Sequence, residues 1–152
     1  MDKKRLIQLL TWSCALLWMG IIFYLSSQPA TQSEQLSTGL KDGLLAILRY
    51  LMPGIESIEL GNLDFLIRKN AHFMAYFILG VLTLLALVQS EARKPANLAL
   101  LICMIYAMTD EFHQLFVLGR SGQFRDVLID AAGAVLGILL TSLVINRISR
   151  RF

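Results

Sequence analysis

Lys69, His72 and Tyr76 stand three and four residues apart, so one helical face carries an amine, an imidazole and a phenol together. Tyr106, Asp110, His113 and Gln114 repeat at the same spacings, with Glu111 about a third of a turn round. Asp126, Asp130, Gly133 and Gly137 step by four, three and four residues along a third face, and Arg120 and Arg125 lie just before it. Imidazole and carboxylate groups move protons, while amines and guanidinium groups neutralise phosphate or carboxylate. Adjacent Asp110 and Glu111 repel when both are ionised, which predicts either a retained proton or a separate cationic partner for each. Arg120 and Arg125 are the candidates for that pairing.

The same residues invite sharper readings. Two histidines among carboxylates are donor types for a divalent cation, but the HExxH spacing is absent and neither a metal nor another cofactor is expected. Ser27, His72 and Asp130 supply the residue types of a hydrolase triad, without the GxSxG turn that presents a nucleophile. Cys14 and Cys103 lie in apolar segments with no CxxC spacing and are expected to be buried, reduced thiols.

The elements that must position these groups are dictated by composition. The chain has 152 residues, 56% hydrophobic and only 16% charged, which is too apolar for an ordinary soluble domain. Its net charge of +3 comes from short basic groups at the ends of apolar runs and not from a basic stripe interleaved with aromatics, so no nucleic-acid partner is expected. Four segments, about 6–25, 71–88, 96–116 and 127–145, approach the roughly 20 apolar residues that cross a hydrocarbon core. The third is interrupted by Asp110 and Glu111, and spans the core only if its helix continues past them. The first follows Lys3, Lys4 and Arg5, but it is longer than a signal-peptide core and ends without a small-x-small site, so it reads as a retained span.

The expected fold is all-α: one domain over 1–152, an integral membrane four-helix bundle. Lys3 to Arg5, Arg93 with Lys94, and Arg147, Arg150 and Arg151 then share one side, which the positive-inside rule makes the cytoplasm. Both termini are cytoplasmic, and the polar groups gather on the extracytoplasmic side of a cytoplasmic membrane. The long outer connection, 26–70, has leucines at helical spacing from Glu34 to Met52, stopped by Pro53 and Gly54. This predicts an amphipathic helix between spans 1 and 2, lying in the outer interface or capping the bundle.

Taken in order, Ser26-Ser27-Gln28-Pro29, Lys69-x-x-His72-Phe73 with Tyr76, Asp110-Glu111-x-His113-Gln114 followed by Arg120-Ser121-Gly122, and Asp126-x-x-x-Asp130-x-x-Gly133 resemble the VanZ-like family. The four blocks run from the first span to the last. The resemblance implies a small bacterial cytoplasmic membrane protein, in a family named for a member linked to low-level resistance to teicoplanin, an acylated glycopeptide antibiotic. It implies a signature made of Ser27, Gln28, Lys69, His72, Asp110, Glu111, Gln114, Arg120, Asp126 and Asp130. It does not supply a reaction.

Two functions compete. In the first, the protein binds an anionic amphiphile at the outer leaflet: a membrane lipid, a lipid-linked wall precursor or an acylated glycopeptide. Ser27, Gln28, Lys69, Tyr76, Gln114, Arg120, Arg125, Asp126 and Asp130 are the candidate ligand-binding residues. In the second, it is a membrane hydrolase or transferase for a lipid-linked phosphate, with His72, Asp110 and Glu111 catalytic. A proton relay ranks behind both, because the cytoplasmic halves of the spans are almost wholly apolar. A purely structural ion-pair network is the remaining alternative.

Overall fold

A computed structural model describes residues 2–51 and 63–149. Five helices follow one another: α1 (Lys3–Ser26), α2 (Ala30–Leu51), α3 (Leu63–Gln89), α4 (Pro95–Gln114) and α5 (Phe124–Ser149), with no strand among the described residues. α1, α3 and α5 are long and apolar enough to cross a membrane. α4 is not in that group, because its 20 residues include Asn97 near one end and Asp110 with Glu111 near the other.

Local chemistry sets the ends. Asp2 caps α1 by accepting a bond from Lys4 N, and Pro95 opens α4 after Lys94 turns the chain at a left-handed φ of 58°. α4 stops at Gln114, short of the expected Phe116. The next amides, of Leu115, Phe116 and Val117, bond three residues back to Phe112, His113 and Gln114, which tightens the coil into turns. α2 starts at Ala30, earlier than the expected Glu34, directly after Pro29. Its expected stop at Met52 to Gly54 lies outside the described residues, as do Arg150 and Arg151.

α3 and α5 run parallel at the centre, and α1 and α4 pack beside them in the opposite sense. A β-carbon on Gly133 would collide with the Phe73 carbonyl oxygen, and one on Gly137 with that of Phe77. The two glycines thus let the α3 and α5 backbones touch. One apolar cluster gathers Ile22, Tyr76, Leu79, Cys103, Ala107, Val127 and Ala134 below the polar end; a second, around Leu84, Leu87, Ala99 and Ile138, fills the other end. At that far end Lys4 pairs with Glu91 at 2.6 Å, Gln8 donates to Gln89 O at 2.8 Å, and Trp12 donates to Ser90 Oγ at 3.0 Å. The start of α1 is therefore tied to the turn between α3 and α4.

Large apolar side chains cover the outside, among them Leu16, Leu17, Leu101, Ile105, Leu139 and Leu143. So much exposed hydrocarbon suits a bilayer and not water. Cys103 is buried as expected, but Cys14 is exposed on this outer face of α1.

Candidate functional site

The polar side chains converge where α3 and α5 begin and α1 and α4 end. On α3, Lys69 bonds to Asp126 at the first turn of α5, with both side chains largely buried. One turn deeper, His72 Nδ1 lies 3.3 Å from Asp130 Oδ1, without the alignment of a hydrogen bond. Asp130 is 0% exposed, and neither of its oxygens has a hydrogen-bond partner among the described residues. The Tyr76 hydroxyl, a further turn along α3, is likewise buried and unpartnered.

α4 contributes Asp110, Glu111 and Gln114, all buried. Asp110 accepts from Ser26 Oγ at 2.5 Å and from Gln114 Nε2 at 3.5 Å. Glu111 accepts from Gln123 N at 2.9 Å and from Gln114 Nε2 at 3.3 Å. The expected pairing of this acidic couple with arginines does not occur. Gly119, at a φ of 76°, reverses the chain so that Arg120 reaches back across the ends of α1 and α2. There Arg120 donates to Gln28 O at 2.8 Å, Leu25 O at 3.2 Å, Ser33 Oγ at 2.5 Å and Gln114 Oε1 at 3.3 Å, all neutral acceptors. Burial pulls its guanidinium below its usual range, opposed by the charges of Asp110 and Glu111. Arg125 is exposed and has no hydrogen bond or ion pair among the described residues, so it does not join the site.

A cavity of about 540 Å³ opens at this end. Its lining includes Ser26, Lys69, His72, Asp110 and Arg120 together with the apolar Leu36 and Leu40 of α2 and Phe65, whose ring lies 5.1 Å from Lys69 Nζ. Leu36, Leu40 and Ile47 are otherwise exposed, so the apolar side of α2 is not used up by the bundle.

Several expected site residues are displaced. Ser27 donates to Phe23 O at 2.6 Å and contacts His113 at 3.2 Å, outside the cavity lining. Gln28 lines the cavity, but its amide bonds to Tyr24 O and its carbonyl serves Arg120. His113 stacks 4.6 Å from Phe23 and does not join His72. Ser26, Ser33 and Gln123 were not anticipated. Ser26 follows Ala15 and Ile22 on the buried line of α1, seven and four residues apart with Ser27 about 100° off it, a signal that exists only once the packing of this apolar helix is known. Ser33 and Gln123 carried none, since one accepts from an arginine of another loop and the other acts through its backbone.

Among known proteins, a family model described as VanZ/LLP1 matches residues 11–145. No curated protein and no solved structure matches the chain.

Proposed function

The chain belongs to the VanZ/LLP1 family, and from that premise we propose that this membrane protein recognises an anionic amphiphile at the outer leaflet. The observation that carries the reading is that one cavity is lined both by the cationic Arg120 and Lys69 and by the apolar Leu36, Leu40 and Phe65. Arg120 is the anchor for a phosphate or carboxylate, because its four bonds all go to neutral acceptors and no described residue sets a contacting anion against its charge. The apolar side of α2, lying in the interface, receives the acyl chain. A phospholipid, a lipid-linked wall precursor and an acylated glycopeptide all meet this description.

In this reading α4 is a fourth span, since 20 helical residues extend about 30 Å and match the hydrocarbon core. Lys3, Lys4, Arg5, Arg93, Lys94 and Arg147 then lie on the cytoplasmic side with both termini. In a background lacking Cys14 and Cys103, cysteines placed at Gln89 and Ser121 should label from opposite sides of the membrane. Labelling of both from outside would end this topology.

A second reading is favoured by one observation. Asp130 Oδ1 lies 3.3 Å from Nδ1 of His72, a cavity-lining residue, and a small turn of the imidazole would align the two as a general base and its orienting carboxylate. On that reading the protein hydrolyses or transfers a lipid-linked phosphate, with Asp110 and Glu111 as further proton-transfer groups. The two separate in cells carrying wild type, Arg120→Ala or His72→Ala at matched expression, scored by lipidomics and by sensitivity to acylated glycopeptides. A binder loses its phenotype with Arg120→Ala and keeps it with His72→Ala. An enzyme loses about 10²- to 10⁴-fold in turnover with His72→Ala. Strains indistinguishable from a deletion of the gene in every lipid and in antibiotic sensitivity would sink both readings.

A further inference from the structure

We propose that His72, Glu111 and Asp130 form a binding site for one divalent cation, zinc or manganese. One ligand atom from each lies within 4.8 Å of the others, and this is the one such trio among the described residues. The residues come from three helices, α3, α4 and α5, so the convergence is made by the tertiary fold and not by local sequence spacing.

The independent observation is the state of Asp130. A carboxylate with no exposed surface normally accepts two or more hydrogen bonds, and leaving it without any is costly. Neither Asp130 oxygen accepts one from any described residue. His72 Nδ1 sits beside it at 3.3 Å, an ion-pair contact without hydrogen-bond alignment, so the two side chains present their donor atoms to a common space with Glu111. Charge points the same way. Asp110, Glu111, Asp126 and Asp130 are buried together, whereas among the described residues the lysine and arginines at this end are Lys69, committed to Asp126, Arg68, paired with Glu34, and Arg120, committed to neutral acceptors, and only His72 approaches Asp130. A divalent cation offsets the carboxylates that these side chains leave uncompensated.

The donor set selects the metal class. Imidazole suits zinc and the later transition metals, while carboxylates suit harder ions, so one nitrogen and two oxygens fit zinc or manganese better than magnesium or calcium. Ligand distances of about 2.0–2.2 Å for zinc require the three donors to close in by small side-chain shifts. Gln123 N and Gln114 already bond to Glu111 and hold its carboxylate in place, the supporting contacts that a ligand carboxylate needs. Of the three ligands His72 lines the cavity while Glu111 and Asp130 do not, so the cation would sit behind the cavity wall at His72.

The site goes beyond amphiphile recognition and is tested without any amphiphile. Full-length protein in detergent is stripped with a chelator, reloaded separately with Zn²⁺ or Mn²⁺, passed through gel filtration and assayed for metal by mass spectrometry. One ion per wild-type chain is expected, with X-ray absorption at the metal edge reporting one imidazole in a shell of oxygens. Asp130→Asn and His72→Ala should each weaken binding by more than the roughly 10- to 100-fold typical of losing a supporting contact, while His113→Ala keeps the metal. Wild type that retains far less than one ion per chain, a metal shell without nitrogen, or equal retention by Asp130→Asn would each overturn the site. The absorption measurement is made on wild type, so a variant that fails to fold does not rescue the proposal.

Discussion

Gly133→Leu is expected to force α3 and α5 apart and to destabilise the protein by about 3 kcal/mol, at the upper end of overpacking costs. Even the first added carbon meets the Phe73 carbonyl oxygen and approaches Phe77 N at 3.1 Å, and backbone cannot rotate away as a flexible side chain can. The damage extends beyond packing, because Lys69 with Asp126 and His72 with Asp130 bridge the same two helices at the polar end. Gly20→Leu is the matched control, since nothing lies within 4 Å of where its β-carbon would be, and it should unfold like wild type. Thermal unfolding in detergent, with both variants purified alongside wild type, measures the difference. Equal stability of Gly133→Leu and Gly20→Leu would refute the tight crossing of α3 and α5.

Arg120→Ala is expected to weaken binding of an anionic amphiphile by about 10- to 100-fold, the range for removing a charged hydrogen-bonding group worth roughly 1.5–3 kcal/mol. The guanidinium has two tasks in one place. It supplies positive charge at the cavity, and its bonds to Leu25, Gln28, Ser33 and Gln114 tie the ends of α1, α2 and α4 together. Arg120→Lys should recover little, because an ammonium keeps the charge but has three donors from one atom and cannot span those acceptors. Titration of detergent-solubilised protein with phosphatidylglycerol against phosphatidylcholine reads the effect. Wild-type affinity in Arg120→Lys would show that charge alone suffices and that the fork of contacts is irrelevant to binding.

The parts of this molecule legible in its sequence are those set by period and length. α1, α3 and α5 follow from runs of apolar residues, and the polar faces of α3 and α5 follow from three- and four-residue steps. α4 was harder because Asp110 and Glu111 lower its hydropathy near the place where it must end, and the three-back bonds of Leu115, Phe116 and Val117 that end it at Gln114 follow no pattern of residue types. Which groups pair across helices could not be read at all. Opposite charges suggested Arg120 and Arg125 for the acidic couple, yet the partners are Ser26, Gln114 and a backbone amide. Periodicity reports the face a residue occupies, not the neighbour that the bundle brings to it. The choice between Ser26 and Ser27 shows the limit: they are adjacent in sequence, but one is buried against Asp110 and the other faces Phe23 and His113.

Native mass spectrometry of the full-length protein, released from bacterial membranes and delipidated by repeated detergent exchange, tests amphiphile recognition most directly. One anionic amphiphile should remain per wild-type chain and be lost from Arg120→Ala, while neutral lipids wash away from both. Wild type that emerges free of lipid, or that holds neutral and anionic lipids alike regardless of Arg120, would contradict it.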